Sequence, residues 1–356
     1  MAGLRILLVS TPLGPLGQGL GGGVELTLAG LIQGLAGRGH QLSLIAADGS
    51  QMALPPGVEL LLEPGLPQPS WQHQQRQGAI QIPVAALLPR FWALALALQD
   101  QFDAVLNLGY DWLPFWLTPQ FRTPLFHLVS MGSVAEAMDE VIEATAAAYP
   151  QRLGFHSAAQ AADFRLPTPP RLLANGFDFS RYSFQAQPKP LLGWVGRIAP
   201  EKGLEDAAQA AAAWGWPLAV WGLLEDPAYG AAVEASVPAG TLQWRGFLAT
   251  EQLQAQLGQC AALLNTPKWN EAFGNVLVEA MACGVPVLAY RRGGPAELVE
   301  PGVTGALVEP DQVGALGAAL PQVLALDRAA CRSRAQARFS LEAFAERVEA
   351  WLLEPG

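Results

Sequence analysis

Lysine is scarce in this sequence: the first 180 residues contain none, and their eight arginines face thirteen aspartates and glutamates. Only 15% of the 356 residues are charged, and the net charge is −10. A nucleic-acid partner needs a basic face, so the composition argues against that class. It also weakens the case for docking on an anionic membrane surface. Cysteine is scarce as well. Cys260, Cys283 and Cys331 lie far apart with no Cys-x-x-Cys pair, which reads as free buried thiols in a reducing compartment. The longest apolar segment, Ile82 to Leu98, is interrupted by Pro89 and Arg90 and falls short of the ~20 residues that span a bilayer. No signal peptide precedes the first strand-like stretch. These absences lead to the expectation of a soluble, cytoplasmic protein without a transmembrane segment.

What is present is ample apolar material, 51% of the chain, enough for two buried cores at this length. Strand-like runs alternate with helical ones. Leu4–Ser10, Gln41–Ala47, Asp103–Leu108, Leu125–Val129 and Arg152–Phe155 read as short buried strands, separated by helices such as Val24–Gly37 and Val134–Ala148. Residues 165–190 carry five prolines and no sustained period. The pattern then restarts with strands at Leu191–Val195, Leu218–Trp221, Leu242–Arg245, Ala261–Asn265 and Val285–Ala289, and with helices at Leu204–Trp214, Glu251–Gln259 and Phe273–Cys283. Such alternation predicts an α/β chain of two Rossmann-like domains, each on a parallel sheet. We place them at residues 1–185 and 186–339, with a C-terminal amphipathic helix in 340–356 packing back on the first.

Two constellations in the second half carry chemistry. In the first, Glu271 and Glu279 stand eight residues apart around a helix start. A rise of ~1.5 Å per residue puts them ~10–12 Å apart, too far for a glycosidase acid/nucleophile pair but suited to gripping two ends of an extended ligand. The helix N-terminus between them, at Phe273, Gly274 and Asn275, offers N–H groups and a positive dipole to a phosphate. In the second, Arg197 follows a strand end and Lys202 precedes the next helix. Two cations at the carboxyl edge of a parallel sheet are placed for an anionic ligand.

Gly-Arg-x₄-Lys-Gly, followed by Glu-x₇-Glu running into Glu-Ala-Met-Ala-Cys-Gly-Val-Pro-Val, resembles the retaining glycosyltransferases of the family 4 type, which have the GT-B fold: two facing Rossmann-like domains with a cleft between them. The resemblance extends to the N-terminal Gly-rich loop, Asn175-Gly-Phe-Asp178 and Gly293-Gly-Pro-Ala-Glu297. It implies a nucleotide-sugar donor and no metal or other cofactor; the sequence also lacks an Asp-x-Asp pair. Arg197 and Lys202 would hold the donor diphosphate, Glu271 the transferred sugar and Glu279 the ribose. N–H groups of Gly22, Gly23, Phe273, Gly274 and Asn275 would flank the phosphates, and His127 would contact the sugar.

The acceptor is expected on loops after the first domain's strands, where Tyr110, Asp111, Trp112, Trp116 and Ser130 lie. Aromatic rings around one carboxylate suit a flat ring with N–H donors. The opening stretch is similar to that of cyanobacterial UDP-glucose:tetrahydrobiopterin glucosyltransferases, which implies glucose as the sugar and a reduced pterin as the acceptor; a lipid or saccharide acceptor is the alternative. A reading from another class also has support. Gly17-Gln-Gly19-Leu-Gly-Gly22 satisfies Gly-x-Gly-x-x-Gly, and Asp48 closes the second strand as in an NAD-dependent oxidoreductase. A dinucleotide fingerprint, however, begins directly at the strand end, and here Thr11 to Leu16 intervenes.

Overall fold

The computed structural model describes residues 3–17, 23–71 and 74–354. It divides into two compact units, one of Met1–Gly176 with Leu341–Gly356 and one of Phe177–Ser340. Among the described residues, unit 1 holds a sheet of strands β1 (Arg5–Val9), β2 (Gln41–Ala47), β3 (Glu59–Glu63), β4 (Ala104–Asn107), β5 (Leu125–Val129), β6 (Leu153–Phe155) and β7 (Arg171–Leu172). All neighbours pair parallel in the order β3-β2-β1-β4-β5-β6-β7. Parallel strands are covered on both faces, so they read as continuous apolar runs; in β1 every residue after Arg5 is buried.

Helix Gly23–Gly37 covers one face through Leu28, Leu31, Ile32 and Leu35, the i, i+3, i+4, i+7 spacing of a single stripe. The C-terminal helix Leu341–Leu352 lies against it. A Cβ at Gly34 would stand 2.8 Å from the Ala345 Cβ, and Arg38 reaches Glu342 at 2.6 Å and also pairs with Glu349. The other face is covered by helix Leu87–Leu98 through Leu87, Leu88, Phe91, Trp92 and Ala95. Pro89 sits in its first turn, where its missing N–H costs little.

Unit 2 repeats the plan with β8 (Leu192–Val195), β9 (Leu218–Trp221), β10 (Leu242–Gly246), β11 (Ala262–Asn265), β12 (Val287–Tyr290) and β13 (Gly305–Val308), in the parallel order β10-β9-β8-β11-β12-β13. Helices Leu204–Trp214 and Val313–Leu324 join the core on one face. The proline-rich connection ends earlier than its composition indicates. Phe177 to Gln185 groups with unit 2 because two arginines hold its carbonyls. Arg328 donates to the carbonyl oxygens of Gln185 (2.7 Å), Cys260 (2.9 Å) and Gly258 (2.8 Å). Arg332 donates to those of Tyr182 (2.7 Å) and Phe179 (2.9 Å). Among the described residues no helix is long and apolar enough to cross a membrane.

Trp351 ties the last helix to the first sheet. It is fully buried, meets Phe126 edge-on at 5.0 Å, and donates from Nε1 to the Gln151 carbonyl at 2.8 Å. Trp351→Ala is expected to lower unfolding free energy by about 3–5 kcal/mol, the usual cost of removing a buried tryptophan. Urea denaturation checks this, and a loss under about 1 kcal/mol would show that the helix is not an integral part of the core.

Candidate functional site

In open parallel sheets, ligands bind beyond the carboxyl ends of the strands where the order reverses. In unit 2 that point lies between β8 and β11, and the loops leaving these two strands carry the residues singled out by their spacing. The loops are interlocked. Thr266 Oγ1 donates to the Gly203 carbonyl at 2.6 Å, and the Lys268 N–H donates to the Glu201 carbonyl at 2.9 Å. Gly203 has φ +64°, and a Cβ there would lie 2.0 Å from the Thr266 oxygen. Only glycine fits.

The interlock brings Lys202 and Glu271 together. Lys202 Nζ donates to Glu271 Oε2 at 2.5 Å, and Trp269 Nε1 donates to the same oxygen at 3.1 Å. Glu271 is fixed from the opposite side, where Gly294 N donates to its carbonyl at 2.7 Å. Gly293, φ +64°, comes so near that a Cβ would sit 2.5 Å from the Glu271 backbone. Arg197 divides its guanidinium between Glu201 (2.8 Å) and Glu225 (2.6 Å). Both cations are thus already oriented by carboxylates. Of the chain's three lysines, Lys202 and Lys268 stand on these two loops.

Gly274, φ +103°, caps the helix Asn275–Ala282, which therefore starts two residues later than its sequence pattern predicts, just after Phe273. Glu279 lies inside this helix with 6% exposure, and Tyr182 donates its hydroxyl to Glu279 Oε1 at 3.2 Å. Burial raises the Glu279 pKa, while Tyr182 and the nearby Arg181 pull it back down.

Unit 1 reverses its strand order between β1 and β4. Gly23 opens the helix after the Gly-rich loop; Gly22 lies outside the described residues, as do Gly19 and the rest of that loop up to it. His127 is fully buried on β5. It lies 3.2 Å from Asn107 Nδ2 and 2.9 Å from Thr118 Oγ1, and stacks on Phe115 at 4.3 Å. Burial lowers its pKa to about 3, so the ring stays neutral. As packed here, the ring is enclosed by Phe115, Asn107 and Thr118 within unit 1.

The acceptor candidates separate into two groups. Tyr110 is buried and donates to the Gly132 carbonyl at 3.0 Å. Asp111, 3% exposed, caps helix Trp112–Leu117 by accepting from the Trp112 N–H at 2.8 Å. By contrast, Trp112 and Trp116 stack at 5.6 Å with Trp116 more than half exposed, and Ser130 is partly exposed at the end of β5. Spacing did not reveal Gln68 and Trp71, which lie beside Asp111, nor Trp269, Tyr182 and Glu225. Each reaches its partner across a chain separation that has no local signature; only Trp269, an aromatic two residues before Glu271, left a local hint.

Burial raises the Asp111 pKa to about 6 from an ordinary 3.8, against the lowering influence of the Trp112 N–H and of Gln68 and Trp71. The folded state therefore holds this proton more tightly than the unfolded chain. The resulting stability is complete below pH 3.8 and lost as the pH rises through about 6. Asp111→Asn keeps an acceptor oxygen but does not ionise. Relative to wild type, it is expected to gain on the order of 2–3 kcal/mol between pH 4 and pH 8. Denaturation curves at the two pH values check this; a constant difference would contradict the buried placement of the carboxylate.

Comparisons with known proteins relate this chain to glycosyltransferases. Residues 178–338 match the family model described as Glycosyl transferases group 1. A 2-deoxystreptamine N-acetyl-D-glucosaminyltransferase of Streptomyces fradiae is 34% identical over 36% of this chain and 32% of its own length. A D-inositol 3-phosphate glycosyltransferase of Mycobacterium tuberculosis is 42% identical over 24% of this chain and 18% of its own. The chain thus spans a third or less of the length of these curated relatives. Among solved structures, AviGT4, a glycosyltransferase involved in avilamycin A biosynthesis, superposes with a TM-score of 0.73 at 20% identity, over 98% of this chain and 97% of that one. Anabaena Alr3699/HepE in complex with UDP-glucose gives 0.70 at 19% identity, over 98% and 99%. The fold is the GT-B fold of these structures, and residues 178–338 are similar to group 1 glycosyltransferases.

Proposed function

We propose that this chain is a retaining, metal-independent hexosyltransferase that moves glucose from UDP-glucose to a small-molecule acceptor, and that the acceptor is a reduced pterin. The observation that carries the donor half is the meeting of Lys202 with Glu271 across the two loops at the strand-order reversal, with Arg197 on the same loop as Lys202 and helix Asn275–Ala282 starting just beyond Glu271. A diphosphate leaving group needs cations where its charge develops, and a helix start adds N–H donors. That a structural neighbour was solved with UDP-glucose supports the same donor class.

In this reading Arg197 and Lys202 stabilise the departing diphosphate, Glu271 orients the sugar through a hydroxyl, and Glu279 accepts from the ribose. The acceptor attacks on the face the diphosphate leaves, so the anomeric configuration is retained and no enzyme nucleophile is required. The Trp112–Trp116 stack offers the acceptor a flat apolar face. Asp111 would meet a pterin's N–H edge by exchanging its contacts with Gln68 and Trp71. The similarity of the opening stretch to tetrahydrobiopterin glucosyltransferases supports a pterin over a lipid or saccharide.

Calorimetry in EDTA is expected to show UDP binding and no NADH binding. Lys202→Ala and Arg197→Ala should each reduce turnover by at least ~10²-fold with the fold intact, the scale of one lost transition-state charge contact. NADH binding without UDP binding, or near-normal turnover in both variants, would overturn the assignment.

A further inference from the structure

Trp269 belongs to none of the motifs, yet it touches two charged groups of the proposed donor site, Lys202 and Glu271. Its Nε1 donates to Glu271 Oε2 at 3.1 Å, and the face of its ring lies 4.5 Å from Lys202 Nζ. Lys202 Nζ takes the same carboxylate oxygen at 2.5 Å. Cation, carboxylate and indole close a triangle between the loop after β8, which carries Lys202, and the loop from β11 to helix Asn275–Ala282. Among the described residues, both hydrogen bonds to the Glu271 carboxylate fall on Oε2.

The two donors at Oε2 differ in kind. An ammonium is a mobile point charge on a flexible stem and turns readily toward a stronger anion. An indole N–H is neutral, is a donor only, and sits on a rigid ring. If Lys202 alone held Glu271, a diphosphate that drew the ammonium away would leave the carboxylate unheld as the sugar arrives. Trp269 removes that conflict. Its ring face offers Lys202 only the modest attraction of a cation–π contact, weak enough to be exchanged for a phosphate.

We infer that Trp269 is a positioning residue for the transferred sugar. It retains Glu271 by Oε2 so that Oε1 meets a sugar hydroxyl, while Lys202 moves from Glu271 to the diphosphate. This rests on the donor-site reading above and adds to it a residue and a division of labour: Lys202 answers to the nucleotide, and Trp269 keeps Glu271 for the hexose.

Trp269→Phe keeps an aromatic face for Lys202 and removes the N–H. The variant should bind UDP within about twofold of wild type, because UDP carries no hexose for Glu271 to hold. Its affinity for UDP-glucose relative to UDP, and its kcat, should each fall about tenfold, the scale of one hydrogen bond to a charged group. Calorimetry with UDP and with UDP-glucose, initial rates and a melting temperature read all of this; Trp269→Tyr serves the same comparison if the Phe variant melts lower. An unchanged UDP-glucose to UDP ratio, or equal losses for both ligands, overturns the inference and makes Trp269 a loop-packing residue. Wild-type protein that binds neither ligand instead refutes the donor-site reading, and this inference with it.

Discussion

The contact between Gly203 and Thr266 is the constraint on which the proposed donor site depends. The two loops come from the neighbouring strands β8 and β11, and their approach leaves no room for a Cβ at position 203. Because the backbones meet there, Lys202 on one loop falls within hydrogen-bond reach of Glu271 on the other. Gly293 and Gly294 make the same kind of approach from the far side and clamp the Glu271 backbone. The glycines of this region thus stand where backbone must touch backbone, and the charged side chains are placed as a result.

Both units have the same kind of strand-order reversal, and in unit 2 Arg197, Lys202 and Lys268 stand on the loops that leave it. All three lysines of the chain, Lys189, Lys202 and Lys268, lie in unit 2. At the corresponding place in unit 1, polar groups satisfy one another. Asn107, His127 and Thr118 form a buried chain, and Asp111 caps a helix. What unit 1 offers to solvent nearby is an aromatic face at Trp116. A group that stabilises developing negative charge must be fixed before the charge appears; the carboxylates around Arg197 and Lys202 do that fixing.

The alternation of apolar runs and helical stripes was enough to reveal both parallel sheets, because a strand covered on both faces must be apolar throughout. The strands Glu59–Glu63, Arg171–Leu172 and Gly305–Val308 escaped notice, the second being too brief to show a period. In the site, Arg197, Lys202, Glu271 and Glu279 were legible because each sits at a fixed distance from a strand end or a helix start. His127 is harder to read for a related reason. A histidine at a strand end looks the same in sequence whether it faces solvent or, as here, Phe115 and Thr118. Trp269, Tyr182 and Gln68 gain their meaning from contacts across 2 to 97 residues of chain, where periodicity carries no information.

In the proposed reaction the charged cluster of unit 2 transfers a sugar from a nucleotide donor with its configuration kept. The most direct test is to incubate the protein with UDP-glucose and a panel of reduced pterins, simple sugars and lipids, and then to read the product by mass spectrometry and its anomeric coupling by NMR. The account predicts a mono-glucosylated pterin with the α-configuration of the donor. A β-linked product, or hydrolysis of UDP-glucose with transfer to no member of the panel, would contradict it.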